Sequence, residues 1–270
     1  MTVDTILKER EEQVIPKQRA YLSYSRINKY LHCPEQYRLY YVENLRPRIP
    51  SASLVFGQII HKSLEHLLRN QGDPVKWFLE AWNAFKEVEL RYSQKESWEK
   101  LHAIGWSLLE KFQKEELPRL GKVRGTEKVF ELNITSLPLP LVGVIDLITE
   151  MDSKRTVVDF KTAASAYDEH EVILSDQLTT YQLAEPEAEQ AALCVLIKTK
   201  EPRIEWHISK RSPEMVIEYL DKVHYVAQEI AAGQFYKRPG KWCGYCDYLP
   251  VCIRDQKKAE ETLIQIEFAS

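Results

Sequence analysis

The chain has 270 residues, of which 44% are hydrophobic and only nine are glycine, as in a folded globular protein with a sizeable core. The net charge of −3 excludes a surface that is basic throughout, so any contact with a polyanion has to come from local basic patches. The chain has no run of eighteen apolar residues, and its charged first residues lack the apolar centre of a signal peptide. We therefore expect a cytoplasmic protein that makes no membrane contact.

Residues 1–20 are polar and predict a tail, whereas residues 21–50 predict two short helices. Ser23 or Ser25 can cap the first helix, and Pro34 can begin the second. Lysines, arginines and tyrosines are interleaved in this segment, which is typical of a surface that binds single-stranded nucleic acid. The same residues also fit tyrosines packed between two helices with a solvated basic edge, and the sequence does not decide between these interpretations.

Residues 51–125 predict a helical part with helices at 51–70, 73–89 and 96–117. Gly57 and His61 lie one turn apart on the apolar face of the first helix. A histidine in this position is either a core residue or a metal ligand, because neutral imidazole is a common ligand for metals.

Residues 126–233 begin with a predicted strand at 126–134, on which Glu127 and Glu131 share a face, so strand alternation does not distinguish between these two acids. A predicted β-hairpin follows, with strands at 141–149 and 156–161. A helix at 176–185, two strands at 191–200 and 203–209, and an amphipathic helix at 212–233 complete this part.

The hairpin carries the residues most suited to chemistry. Because side chains alternate along a strand, Asp146, Asp159 and Lys161 can converge on one face. Burying three charges among apolar residues is costly unless they pair or bind a metal. Two carboxylates suit a divalent cation that lowers the pKa of a bound water, and the lysine is placed to orient that water or to neutralise a reacting phosphate. The alternative is a surface hairpin with an ordinary Asp–Lys ion pair.

Two further polar residues, Gln177 and Tyr181, lie one turn apart and face the same side of the helix at 176–185. They fit equally well as part of a site or as a surface amide and a half-buried ring.

Residues 234–270 contain three closely spaced cysteines, Cys243, Cys246 and Cys252, in the pattern C-x2-C-x5-C. A tetrahedral or cubane metal site needs a fourth ligand. Cys194 lies within an apolar strand, so we assign Cys33 as that ligand. Structural zinc sites more often use two short C-x2-C pairs, so the spacing favours a [4Fe-4S] cluster over structural Zn²⁺.

Taken in order, the motifs are Gly57–His61 (G-x-x-x-H), Glu127, Gly143–Asp146 (G-x-x-D), Asp159–Lys161 (D-x-K), Gln177–Tyr181 (Q-x-x-x-Y) and the four cysteines. This set resembles the RecB-type branch of the PD-(D/E)XK nuclease superfamily, and in particular its iron–sulfur-containing exonucleases. That group includes the CRISPR-associated exonucleases and the nuclease domains of helicase–nuclease repair complexes. The resemblance covers Tyr21 to Cys252.

The resemblance implies an α/β fold with a restriction-endonuclease-like core, in which helices flank a central mixed sheet, together with a helical N-terminal part and a C-terminal iron–sulfur staple. It implies that His61, Asp146, Asp159 and the carbonyl of Phe160 bind Mg²⁺ or Mn²⁺. Lys161 would activate the attacking water. Glu127 matches the acidic residue of the first core strand, and Gln177 and Tyr181 match the motif that aligns the DNA strand.

These features predict a metal-dependent deoxyribonuclease that acts as an exonuclease on single-stranded DNA. The chain has no G-x-x-x-x-G-K-[ST] motif, so we expect activity without ATP unless a partner supplies a motor. Its role would lie in DNA repair, recombination or CRISPR adaptation, with a helicase or an adaptation protein as a possible partner. The alternative is a non-catalytic module that binds DNA or a partner through a vestigial site.

Overall fold

The computed structural model describes residues 20–266, which fall into two compact units. The sheet unit comprises Ser51–Phe130 and Val144–Tyr219. The terminal unit comprises the described residues up to Pro50, Glu131–Gly143, and the described residues from Leu220 onwards.

The helices are α1 (Tyr24–His32), α2 (Pro34–Tyr37), α3 (Ala52–Leu68), α4 (Pro74–Asn83), α5 (Trp98–Lys111), α6 (Glu169–Ile173), α7 (Asp176–Ala184), α8 (Pro213–Ala231), α9 (Leu249–Cys252) and α10 (Gln256–Thr262). The strands are β1 (Leu45–Pro47), β2 (Val123–Leu132), β3 (Leu141–Met151), β4 (Lys154–Ala163), β5 (Gln190–Ile197), β6 (Arg203–Ser209) and β7 (Leu263–Gln265).

A mixed five-stranded sheet of order β2-β3-β4-β5-β6 forms the core. Strands β3 and β4 are antiparallel, β4 and β5 are parallel, and β5 and β6 are antiparallel. A parallel pair requires a crossover connection, and α6 and α7 lie in the connection between β4 and β5. All eight residues of β5 are buried, as expected for a strand covered on both faces. The predicted α/β fold with a central mixed sheet flanked by helices is confirmed.

The hairpin of β3 and β4 closes through a two-residue turn. Asp152 and Ser153 have φ values of 50° and 62°, which is the backbone of a type I′ turn and matches the twist of the strands. The paired residues run from Met151 with Lys154 to Leu147 with Val158. The next pair along this register is Asp146 and Asp159, so the hairpin predicted from sequence brings the two acids together.

Two helices are shorter than the sequence predicts. Helix α4 ends at Asn83 rather than near 89. After Asn83 the backbone forms a series of turns closed by hydrogen bonds between residues three apart, and the Phe85 side chain in these turns is buried. Helix α5 begins at Trp98 because the Ser97 side chain accepts a hydrogen bond from the Lys100 amide and caps the helix. It ends at Lys111, where a wider turn (Phe112–Glu116) replaces the rest of the helix predicted to reach 117.

In the terminal unit, helices α1 and α2 contact the segment that follows α8. The Tyr30 hydroxyl donates to the Gln234 carbonyl over 2.6 Å, and the rings of Tyr30 and Tyr37 both contact Phe235. Tyr30 and Tyr37 are buried, and the Arg26 guanidinium lies over other tyrosine rings of the same unit. For these residues the structure favours the packing interpretation. The antiparallel pair of β1 and β7 was not predicted.

No helix within residues 20–266 is both long enough and apolar enough to cross a membrane.

A partly buried ion pair joins the start of α3 to the end of β5. Glu96 accepts hydrogen bonds from Ser53 (2.6 Å) and from Lys198 (3.0 Å). Burial acts to raise the pKa of Glu96, but the hydrogen bonds from Ser53 and Lys198 outweigh it and lower that pKa to about 2. A depressed pKa means that the stabilisation is present above the ordinary carboxyl value near 4.5 and is lost as the pH falls towards 2.

Glu96→Gln is therefore expected to lower the unfolding temperature at pH 7 by about 3–6 °C, because a hydrogen bond to a charged group contributes about 1.5 kcal/mol. The difference between the free energies of unfolding of the wild type and the variant should decrease as the pH falls below about 4.5. Urea unfolding between pH 3 and 7 measures this difference. Glu80→Gln, at an exposed position on α4, is the matched control. A difference in the free energy of unfolding that stays constant down to pH 3 would contradict the lowered pKa of Glu96.

Candidate active site

Asp159 lies at the centre of the polar network in the sheet unit. It is on β4 and only 1% exposed. Its Oδ1 accepts a hydrogen bond from Gln177 Nε2 at 2.7 Å and lies 3.2 Å from the Tyr181 hydroxyl. Its Oδ2 lies 2.9 Å from Lys161 Nζ. A buried carboxylate is stable only when such partners compensate for its lost hydration, and Gln177, Tyr181 and Lys161 are those partners for Asp159.

Asp146 is the second buried carboxylate, 3% exposed on β3. Its Oδ2 accepts a hydrogen bond from the Phe160 amide at 2.7 Å. The same oxygen lies 3.5 Å from Nδ1 of His61, and the His61 and Phe160 rings meet edge to face. The structure therefore brings His61, Asp146 and the backbone of Phe160 together on one side of the hairpin.

Lys161 and Gln177 orient each other. The Lys161 ammonium donates to Gln177 Oε1 at 2.7 Å while the Gln177 amide donates to Asp159. These two contacts fix which end of the Gln177 side chain carries the oxygen. The Lys161 side chain is about one-third exposed, and its ammonium lies 2.9 Å from the buried acid.

Tyr181 connects the network to β3. Its hydroxyl lies 2.7 Å from the Val144 carbonyl and 3.1 Å from Gln177 Nε2. The ring is 3% exposed. The helical spacing of Gln177 and Tyr181 correctly indicated that they share a face, but the backbone carbonyl that anchors Tyr181 leaves no signal in the sequence.

Glu127 and Glu131 lie in different environments. The Glu127 carboxylate is 3.8 Å from the ammonium of Lys62, the residue after His61, and it belongs to the sheet unit. Glu127 has φ 48°, which interrupts the regular strand alternation there. Glu131 is exposed, belongs to the terminal unit and accepts a hydrogen bond from Asn133. Lys62 was not singled out from sequence.

The donors in the sheet unit fit an oxygen-preferring divalent cation by their chemistry. Two buried carboxylates, an imidazole and a backbone carbonyl are ligands that Mg²⁺ and Mn²⁺ accept. Across residues 20–266, however, no three His, Cys, Asp or Glu side chains meet closely enough to hold a metal ion. Binding a cation would therefore exchange some of the internal contacts of Asp146 and Asp159 for metal–oxygen contacts.

Four of the five cysteines lie in the terminal unit, and all five are free thiols. Cys33 joins α1 to α2. Cys243 lies within the turn at 241–245, Cys246 directly follows that turn, and Cys252 ends α9. Burial raises the pKa of Cys246, and the neighbouring Cys33 and Cys243 add to that increase. In the described part of the terminal unit, no three of these side chains meet closely enough to hold a metal ion. The thiols of Cys33 and Cys243 are nevertheless close enough to Cys246 to act on it electrostatically.

The remaining thiol, Cys194, is fully buried in β5 of the sheet unit. Burial raises its pKa well above the ordinary value, so this thiol is a core residue, as the sequence predicts.

Comparison with known families identifies the chain. A family model for the PD-(D/E)XK nuclease superfamily matches residues 21–253. The chain belongs to the PD-(D/E)XK nuclease superfamily. The range that this superfamily model matches includes Asp146, Asp159 and Lys161, and all five cysteines. No curated protein matches the chain.

A solved structure shares the fold of this PD-(D/E)XK superfamily member. A protein from Eubacterium rectale named "Putative exonuclease" is 13% identical, covers 100% of this chain and 96% of its own, and has a TM-score of 0.56. The protein SSO0001 is 16% identical, with 93% and 96% coverage and a TM-score of 0.47. At these identities the likeness to the Eubacterium rectale structure is one of fold.

Proposed function

We propose that the protein is a deoxyribonuclease that uses Mg²⁺ or Mn²⁺ to hydrolyse DNA phosphodiesters, as an ATP-independent exonuclease on single strands. The observation that carries the proposal is the buried pair Asp146 and Asp159, with Lys161 held against the second acid. Membership of the nuclease superfamily supports this chemistry. The name of the Eubacterium rectale protein, an exonuclease, supports the choice of exonuclease.

Asp146, Asp159, His61 and the Phe160 carbonyl are the residues that would hold the cation. When bound, the cation lowers the pKa of a water and offsets the negative charge of the phosphate.

The chain's own groups account for positioning. The Lys161 ammonium is fixed between Asp159 and Gln177, where it can orient a water or stabilise charge that develops on the phosphate. Gln177 contacts both partners through opposite ends of one amide, so its loss would remove one hydrogen bond from the lysine and one from the acid. Glu127 and Tyr181 complete the proposed catalytic set.

For the terminal unit we propose a structural [4Fe-4S] cluster on Cys33, Cys243, Cys246 and Cys252, with structural Zn²⁺ as the alternative. The support is the common location of these thiols in one unit and the electrostatic effect of Cys33 and Cys243 on the Cys246 thiol. A cluster of this kind would support the proposal that the protein belongs to the RecB-type branch. A role in DNA repair, recombination or CRISPR adaptation, beside a helicase or an adaptation protein, is consistent with that branch.

One observation favours a second candidate, a non-catalytic module that binds DNA or a partner. Both carboxylate oxygens of Asp159 already contact groups of the same chain, as in a site that has lost its metal. Cleavage in the presence of a metal separates the two candidates.

The deciding experiment is a digestion time course with protein purified without oxygen and without ATP. Single-stranded and double-stranded DNA, each labelled at either end, are compared with Mg²⁺, Mn²⁺ and EDTA. We expect a metal-dependent release of short products from single strands, starting at one end. Intact DNA with both metals, from protein that binds single strands, would reject the nuclease and leave the binding module.

A further inference from the structure

A second polar feature of the sheet unit lies outside the proposed catalytic set. A cavity of about 700 Å³ opens beside the ends of β4 and β5 and the start of α5. Its apolar wall consists of Leu101, Ala103, Ile104 and Ala164. Its charged lining is Lys95, Lys100, Lys198 and Lys200 against the single acid Glu96. We call this feature the lysine cavity; its size lies in the range of ligand-binding pockets.

The positive charge of the lysine cavity is not neutralised from within. Lys198 is only 8% exposed and pairs with Glu96, which removes one charge of each sign. Lys95, Lys100 and Lys200 are all exposed, and the Lys100 ammonium lies 3.3 Å from the Lys95 carbonyl. The cavity therefore presents three solvated cations beside an apolar wall. An anion with an attached flat apolar group is the ligand that suits this combination.

The lysine cavity lies in line with the candidate active site. Helix α3 presents His61, Gly57 and Ser53 at intervals of one turn, a length of about 12 Å. His61 meets Asp146 and Phe160. Helix and strand come close at Gly57, where an added Cβ would lie 3.0 Å from Thr162 Oγ1. Ser53 meets Lys198, whose amide donates to the carbonyl of Ala163. Helix α3 and strand β4 thus run side by side from the acids to the cavity.

We propose that the lysine cavity binds a nucleotide of the single-stranded substrate, a few positions from the bond that is cut. Lys95, Lys100 and Lys200 contact its phosphate, and its base packs against Ile104 and Ala164. This proposal rests on the proposed function, because the strand would extend from the acids along α3 and β4.

The test compares two triple variants of the full chain. One replaces Lys95, Lys100 and Lys200 with alanine. The control replaces Lys114, Lys154 and Lys210, which are also exposed lysines of the sheet unit and change the net charge equally. Fluorescence anisotropy measures binding of oligo-dT strands of 2 to 12 nucleotides in EDTA, over a range of NaCl concentrations. Thermal unfolding checks that both variants are folded.

The cavity variant is expected to bind dT12 about tenfold more weakly than the control, and this difference should diminish as the strand becomes too short to reach the cavity. Its log-affinity should fall less steeply with log salt, by about 0.7 for each phosphate that the variant no longer neutralises. Equal weakening by both triple variants, a weakening that is the same at all lengths, or no binding of dT12 by the wild type would each overturn the inference. Because binding is measured in EDTA, failure to cleave DNA rejects only the proposed reaction.

Discussion

Asp159→Asn is expected to lower metal-dependent DNA cleavage by about 10³-fold or more while the protein remains folded. The carboxylate is the group on which Lys161, Gln177 and Tyr181 converge. Asparagine keeps the shape and one accepting oxygen but removes the negative charge that a cation needs. Stabilisation of the reacting phosphate by a bound metal amounts to several kcal/mol, and each 1.4 kcal/mol corresponds to a factor of ten in rate.

The stability of this variant separates catalysis from folding. Asp159 is 1% exposed, so removing its charge also removes a desolvation cost. The Lys161 side chain, about one-third exposed, can turn to solvent when its partner is neutral. We therefore expect the unfolding temperature without metal to stay within a few degrees of the wild-type value.

Metal binding is measured in the same experiment through the rise in unfolding temperature with Mn²⁺. A cation at about 100 times its Kd stabilises the folded state by about 2.7 kcal/mol, or roughly 5–10 °C. The wild type should show this rise and Asp159→Asn should not. The control is Asp152→Asn in the hairpin turn, where φ is 50° and asparagine is equally suited. Undiminished cleavage by Asp159→Asn would remove the proposed catalytic site.

The hairpin could be predicted from sequence because its determinants are local. Alternation with a period of two assigns Asp146 and Asp159 to one face, and the polar turn sets the register. The helical spacing of Gln177 and Tyr181 is local in the same way. Each of these residues was placed from patterns that span fewer than twenty residues.

Features that depend on distant contacts could not be predicted. The different environments of Glu127 and Glu131 are one such feature. They arise from the φ of 48° at Glu127 and from its contact with Lys62, a helix residue far away in sequence. The short strands β1 and β7 are three residues each and gain their stability from pairing with each other across the length of the chain. The lysine cavity draws its charges from two separate segments, 95–100 and 198–200, and neither segment forms a motif.

Cys33→Ala is expected to have the largest effect on stability. If Cys33 is the fourth ligand of an iron–sulfur cluster, it closes a loop of 243 − 33 = 210 residues to Cys243. The entropy that such a closure removes from the unfolded chain corresponds to about 5 kcal/mol, and metal binding that occurs only in the folded state adds to the folding free energy. We expect the unfolding temperature to fall by about 10 °C or more, together with the iron content and the visible absorption of protein purified without oxygen.

The matched control is Cys194→Ala, which removes the one thiol outside the terminal unit. Cys194 is fully buried in β5, so this variant loses packing at a cost of about 1 kcal/mol but keeps every proposed ligand. It should retain wild-type iron content and absorption. A folded, brown Cys33→Ala protein would show that another residue supplies the fourth ligand, and a colourless wild type that contains zinc would replace the cluster with a zinc site. Either result leaves the acids of the sheet unit untouched, because the four cysteines and the candidate active site belong to different units.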